Sequence, residues 1–412
     1  MAPGWPRRQR RSSSSSVHEP SNGAQHTDLR RQSSEPILTD FRGLPEHLYQ
    51  AYERLPNFAA TSNRPLLISA GSGHELEYAQ FRSQAAVLAT SMIHRLAIST
   101  GDTVAIYSTP NIDTPVVSAA AWLIGASVVA IPPETNAEEL DFLVQRLHHL
   151  RALFVNREVL PTVMQVFAPR QPSLYRYPIV VVVDATVQVP TPPVNVTLQD
   201  LYTAQPGEAP YERNPLTRVE AQDHTAVIYN NFTRDGNGQI VDVDMVYMSH
   251  DAVINHYNNS IQRQAPSSLL QRRPLPLAYS VLRLHYAYHL HRIIFDIFSR
   301  GGNYLVASTF DPAEFVAMVY HYRLEHAELI STEIQHLIEY LIARDLTRSQ
   351  PPSSGSGPNP LSIADMLSPL RYIHIETYTL EQAQDLNALL PRVVLVRARF
   401  GSYLGPSDQP GG

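Results

Sequence analysis

An α/β fold resting on parallel sheets is what this sequence predicts, and three observations predict it. Short uninterrupted apolar runs recur, such as Thr103–Tyr107 and Ser127–Ile131, and read as strands buried on both faces. Between them lie stretches with apolar residues at three- and four-residue spacing, the mark of helices with one buried stripe. Gly101, Gly125, Pro132-Pro133 and Gly301-Gly302 stand at the junctions, where they end one element before the next begins. Strands separated by helices need crossover connections, and crossovers give parallel pairing.

The first 40 residues stand apart from this pattern. Arg7-Arg8-Gln9-Arg10-Arg11, Ser12–Ser16 and Arg30-Arg31 carry almost no apolar surface, so residues 1–40 are expected to be a disordered Arg/Ser-rich tail. Within it, Arg31-x-x-Ser34-x-Pro36 resembles a basophilic-kinase site of the kind 14-3-3 proteins read, making Ser34 a candidate phosphosite. The Arg7–Arg11 run could serve as a nuclear signal.

The elements then follow in order. An amphipathic helix is expected over Leu44–Phe58, and another over Ala79–Ile98, with Phe81, Ala85, Leu88, Met92 and Leu96 on its apolar stripe. Gly101-Asp102 turns into strand Thr103–Tyr107, followed by helix Thr114–Ile124 and strand Ser127–Ile131. Glu138–Leu150 reads as a helix, Ala152–Val155 as a strand, Leu160–Phe167 as a helix and Ile179–Asp184 as a strand. Pro190–Arg213 reads as a proline-bearing connection, and residues 265–276 as a loop. Strand Thr225–Tyr229 leads through a polar loop to a helix over Asp251–Gln264. Further on come helix Leu284–Arg300, strand Tyr304–Ser308, helix Pro312–Tyr322, strand Ala327–Ile330 and helix Thr332–Arg344. A flexible insertion is expected over 349–360, then strand Arg371–Glu376, helix Glu381–Leu390, strand Val393–Val396 and a flexible end over 406–412.

Composition narrows the function. The 412 residues carry a net charge of −6, which argues against general affinity for nucleic acid. No apolar run is long enough to span a bilayer, and the basic, serine-rich start lacks the apolar core of a secretory signal, so a cytoplasmic or nuclear protein is expected. There is no cysteine, which excludes disulfides, thiolate metal sites and a thiol nucleophile. There is also no lysine: all 32 basic residues are arginine. About twenty lysines are ordinary at this length. Their absence excludes Schiff-base chemistry, the point-charge phosphate lysine and every acceptor for ε-amine modification.

The stretch Thr225–His250 holds the candidate site. A strand, a glycine-bearing loop and a helix start are the layout of a phosphate cradle, because backbone N–H groups in such a loop face an anion. Tyr229, Asn230, Asn231, Thr233, Gly236 and Gly238 are the candidate nucleotide contacts. Against that, Asp235, Asp242, Asp244 and Asp251 crowd the loop with like charge. Elsewhere, His285, His289 and His291 form the densest histidine cluster, and two of them share a helix face; Asp296 or His321 would have to supply a third metal ligand. Exposed helix histidines are the plainer reading, and no metal site is expected. His148-His149, His321 and His326 read as surface, and Arg272-Arg273 as a solvated pair. No Gly-x-Ser-x-Gly elbow and no His-Glu-x-x-His is present, which leaves hydrolase and zincin chemistry without support.

Four scaffold motifs carry a resemblance. Leu76-Glu77-Tyr78-Ala79-Gln80-Phe81, Gly101–Ile106 followed by Asn111, Gly125–Pro132, and Gly302 through Phe310-Asp311-Pro312 occur in this order and spacing. Together they resemble the N-terminal domain of the adenylate-forming superfamily, which includes acyl- and aryl-CoA synthetases, luciferase and peptide-synthetase adenylation domains. The resemblance covers about residues 45–405 and implies layered parallel-sheet subdomains, with residues 41–405 as an AMP-dependent synthetase/ligase-like domain. A family member would use ATP, Mg²⁺ and CoA or another acyl acceptor.

The chemistry-bearing motifs depart from the family. Its phosphate loop reads roughly Tyr-Thr-Ser-Gly-Thr-Thr-Gly-x-Pro-Lys-Gly; here Tyr229 and Thr233 match, while Asn230, Asn231, Phe232, Arg234 and Asp235 stand where small or hydroxyl residues belong. The Gly-Ala-Ala-Pro-Leu segment is replaced by Glu376-Thr377-Tyr378-Thr379-Leu380. The Tyr-Gly-x-Thr-Glu motif becomes Phe400-Gly401-Ser402-Tyr403-Leu404, and leucine cannot ligate Mg²⁺. Arg397 and Arg399 beside it could still hold a carboxylate or phosphate. The ribose-binding Asp and the mobile C-terminal domain with its lysine find no match, and are expected to be absent. The expected function is therefore a catalytically inactive scaffold, a pseudoenzyme binding a protein or an acyl or aryl ligand between Thr225–Tyr229, Leu284–Phe298 and Arg371–Glu376. Two alternatives stand beside it: a divergent ligase completed by a separately encoded C-terminal domain, and a lysine-free adaptor in protein turnover.

Overall fold

The computed structural model describes residues 43–55, 58–167, 178–183, 194–203, 223–255, 277–281, 287–348, 362–375 and 379–397. The chain divides into Met1–Asp40 and Phe41–Gly412, and every described residue lies in the second unit. The first elements are α1 (Leu44–Glu53), α2 (Phe58–Thr61), β1 (Pro65–Ser69), β2 (Glu75–Glu77), α3 (Tyr78–Leu96), β3 (Thr103–Tyr107), α4 (Asp113–Ile124) and β4 (Ser127–Ile131). Next come α5 (Ala137–Arg146), β5 (Leu150–Val155), α6 (Leu160–Phe167), β6 (Ile179–Val182), β7 (Val194–Thr197) and α7 (Leu198–Tyr202). After β8 (His224–Arg234) and β9 (Ile240–Ser249), a helix α8 starts at residue 250 and is described to 255. The chain continues through β10 (Leu277–Val281), α9 (Ala287–Arg300), β11 (Asn303–Ala307), α10 (Pro312–Tyr322), β12 (His326–Leu329) and α11 (Ser331–Arg348). It closes with α12 (Ile363–Met366), β13 (Tyr372–Ile375), α13 (Leu380–Leu389) and β14 (Val394–Arg397).

The strands form two seven-stranded sheets, ordered β14-β13-β12-β10-β11-β1-β2 and β7-β6-β5-β3-β4-β8-β9. Pairing is parallel throughout, except for β1 with β2 and β8 with β9. Strand parity sorts the core into layers. On β3, Val104 and Ile106 face an inner layer while Ala105 and Tyr107 face an outer one. On β11, Tyr304 and Val306 face that same inner layer, and Leu305 and Ala307 the opposite outer one. Residues of α1, α3, α4 and α9 fill the inner layer between the sheets, α5 and α6 cover one outer face, and α10, α11 and α13 the other. The fold class read from sequence, layered parallel α/β, is the one observed.

Several boundaries differ, each for a local reason. The first helix ends at Glu53 and not Phe58, because Pro56 disfavours helical backbone at the residue before it and lacks a donor. The helix expected to reach Leu150 stops at Arg146, and Leu150 begins β5. The connection Pro190–Arg213 contains β7 and α7; Thr197 caps α7 by accepting from the Asp200 amide. β1, β2 and β10 were not expected, being short and flanked by proline or turn residues. The insertion 349–360 and the end 406–412 lie outside the described residues.

Candidate functional site

The largest correction falls on the expected cradle. The polar stretch after Tyr229 is not a loop: β8 runs on to Arg234, and β9 returns antiparallel to it from Ile240. Acidic residues alternating with apolar ones over Ile240–Ser249 disguised a strand as a loop. Tyr229, Asn230, Asn231 and Thr233 all lie within β8. Between Tyr229↔Met245 and Phe232↔Val243 the ladder takes one residue more on β8 than on β9, a bulge at Asn230-Asn231. Gly236 and Gly238 sit in the turn, where only Gly238 has positive φ, 82°.

The turn uses its own anion. The Asp235 Oδ1 accepts from the amides of Asn237 and Gln239, both at 2.9 Å. The Gly238 amide donates to the Asp235 carbonyl at 3.0 Å, and the Asp235 amide to the Gln239 carbonyl at 2.9 Å. Donors that could face a phosphate are thus turned onto Asp235, and an approaching anion meets that carboxylate.

The hairpin is fastened at both ends. Near its tip, Arg234 donates to Glu139 at 2.8 Å, to Glu138 at 3.4 Å and to the Gly238 carbonyl at 2.8 Å. Arg146 on α5 pairs with Asp242 at 3.1 Å and lies 4.7 Å from the centre of the Phe142 ring, which meets Phe232 edge-on. These tip pairs are exposed and fix geometry more than they stabilise. At its base, the Trp122 Nε1 donates to the Thr225 carbonyl at 2.8 Å, with both residues fully buried. The Thr225 hydroxyl donates to the Met248 carbonyl at 3.2 Å, and Ser127 Oγ to the His224 carbonyl at 3.0 Å. His250, buried at the start of α8, accepts the Leu44 amide on Nδ1 at 3.0 Å, tying α1 to the hairpin's exit. Sequence reading gives Trp122 no role and takes Thr225 and His250 only as the ends of the candidate stretch, without their anchoring hydrogen bonds.

The remaining expected residues scatter. Arg397 ends β14, in register with Ile375. Arg399, Phe400, Gly401, Ser402, Tyr403, Ser34, His285 and Glu376–Tyr378 lie outside the described residues. Thr379 caps α13, accepting from the Gln382 amide. His289 and His291 lie on α9, and Asp296 there bonds the Tyr304 hydroxyl and Arg300. Among the described residues no three potential ligands come together to hold a metal. His326, expected on the surface, is instead half-buried on β12 with its Nδ1 3.2 Å from Nε2 of His374. The Ser280 hydroxyl donates to Glu328 at 3.3 Å on the same face of that sheet.

The family model described as AMP-binding enzyme matches residues 55–230, ending inside the β8 bulge. Solved structures align over most of the chain. A luciferase-like enzyme from the nonluminescent mealworm Zophobas morio is 14% identical, with 86% of this chain and 71% of that one covered and a TM-score of 0.61. A benzoate CoA ligase from Burkholderia xenovorans is 13% identical, covering 86% and 60%, with a TM-score of 0.62. A long-chain-fatty-acid-CoA ligase from Archaeoglobus fulgidus is 14% identical, covering 85% and 62%, with a TM-score of 0.62. The fold is that of the adenylate-forming enzymes. The superfamily assignment read from the scaffold motifs is thereby supported. No curated protein matches the sequence significantly. The matched region holds β3, α4 and β4 and ends within β8. No helix among the described residues is long and apolar enough to cross a membrane.

Proposed function

We propose that the chain is a catalytically silent adenylate-forming scaffold that serves as a binding or regulatory module. The turn of the β8–β9 hairpin carries this reading: the amides of Asn237 and Gln239 donate to the Asp235 carboxylate and are not offered to a phosphate. Phosphoryl chemistry is mostly electrostatic, and losing one donor commonly costs two to three orders of magnitude in rate. The sequence adds that no lysine is available to any phosphate and that Leu404 stands where the family motif has its metal-binding Glu. ATP–pyrophosphate exchange with a panel of carboxylates tests the proposal, together with thermal shift by ATP·Mg²⁺. We expect exchange at the level of the blank. Turnover above it would favour a divergent ligase and overturn the silent reading.

A further inference from the structure

Parallel α/β sheets bind ligands at the carboxyl ends of their strands. The inner face of the first sheet changes character across its width. Where β11 runs, Tyr304 and Val306 are buried in the inner apolar layer. Beyond it, strand register aligns two polar rows on the same face. One row leads from the apolar Ala278 to His326 and Tyr372, the first residues of β12 and β13; the other, nearer the carboxyl ends, runs Ser280, Glu328 and His374. The opposite parity, Tyr279, Ala327 and Ile373, is apolar core. Ser280 is 3% exposed, and its hydroxyl donates to Glu328. His326, Glu328, Tyr372 and His374 are half-buried, so solvent reaches the face. The His326 ring lies 4.8 Å from that of Tyr372 and edge to edge with that of His374, whose centre is 5.5 Å away at an interplanar angle of 16°. Three flat rings thus stand side by side next to a carboxylate held by a serine.

We propose that this face is a binding site for an aromatic ligand whose polar head is an N–H donor, an amine or amide, and that it discriminates against carboxylates. The ring platform offers stacking area. A carboxylate provides about four lone-pair sites, so Glu328 accepts a ligand donor beside Ser280 and its other neighbours. A ligand carboxylate placed there would face a like charge and offer Glu328 no proton. The proposal rests on the binding-module reading above and gives that module a ligand class without the carboxylate of the acids its fold relatives are named for.

Benzylamine, benzamide and benzoate differ chiefly in the head group, and their affinities for the intact protein are measurable by NMR titration and calorimetry. We expect benzylamine and benzamide to bind at least about tenfold more tightly than benzoate. Glu328→Gln should shrink that ratio toward one while leaving the unliganded melting midpoint and circular dichroism close to the parent. Should Glu328→Gln not fold, Ser280→Ala, which unlocks the carboxylate, should reduce the ratio in the same direction. Equal or tighter binding of benzoate, an unchanged ratio in the variants, or no binding of any of the three overturns this site. None of those results touches catalytic silence, which the exchange assay alone decides.

Discussion

Replacing Trp122 with phenylalanine attacks the hairpin where it is anchored. The indole is fully buried, and its N–H meets the carbonyl of Thr225, itself fully buried, at 2.8 Å. Phenylalanine keeps an apolar ring but removes this donor. A buried carbonyl deprived of its partner costs about 1–3 kcal/mol. The void left by the missing ring atoms adds about 1 kcal/mol. The sum, about 2–4 kcal/mol, is a large share of the roughly 5–15 kcal/mol that holds a typical domain folded. Urea unfolding followed by far-ultraviolet circular dichroism measures it without relying on tryptophan fluorescence, since the only other tryptophan is Trp5 in the tail. The midpoint should fall with the slope unchanged, and hydrogen exchange should accelerate at hairpin amides more than at β5. A loss below about 1 kcal/mol, or exchange rising equally everywhere, would refute the anchoring argument.

Other perturbations separate neighbouring features. Gly238→Ala should destabilise by about 1–2 kcal/mol, because its φ of 82° is unfavourable for a residue with Cβ, whereas Gly236→Ala should be near neutral, since an added Cβ meets nothing within 4 Å; paired urea curves compare them. Asn136→Ala should cost about 1 kcal/mol in the same assay, because the Asn136 side chain accepts the Glu139 amide at 3.0 Å and caps α5. Burial pushes the hydroxyls of Tyr49, Tyr107 and Tyr279 above the ordinary phenol range. Unfolded tyrosines release their protons near pH 10, so above that pH the unfolded state holds fewer protons and stability falls as pH rises. Spectrophotometric titration should show this late tyrosine class ionising together with unfolding, and ordinary ionisation of all tyrosines in the native state would contradict it.

The parts of the fold that sequence made legible were those whose periodicity was undiluted. Thr103–Tyr107 and Ser127–Ile131 are buried at every position, and both were placed with their correct ends. α6 and α10 were placed to the residue, because each has a clear apolar stripe and a distinct start. β9 escaped because one of its faces is solvated and acidic, so alternation looked like polar loop. β10 escaped because its neighbours on both sides, β11 and β12, come later in the chain, and only the tertiary register shows that Ala278 and Ser280 are strand. The polar row of Ser280, Glu328 and His374 gathers residues from three distant segments, so no local pattern could have announced it.

One feature of the architecture bears on how such a chain could arise. The slab of helices between the sheets takes its apolar residues from Leu67 and Val306 on one side and Val104 and Val128 on the other, so neither sheet can part from it without wetting both. Substitutions in the β8–β9 turn, which lies outside that slab, can therefore change its chemistry while the jointly packed body stays intact.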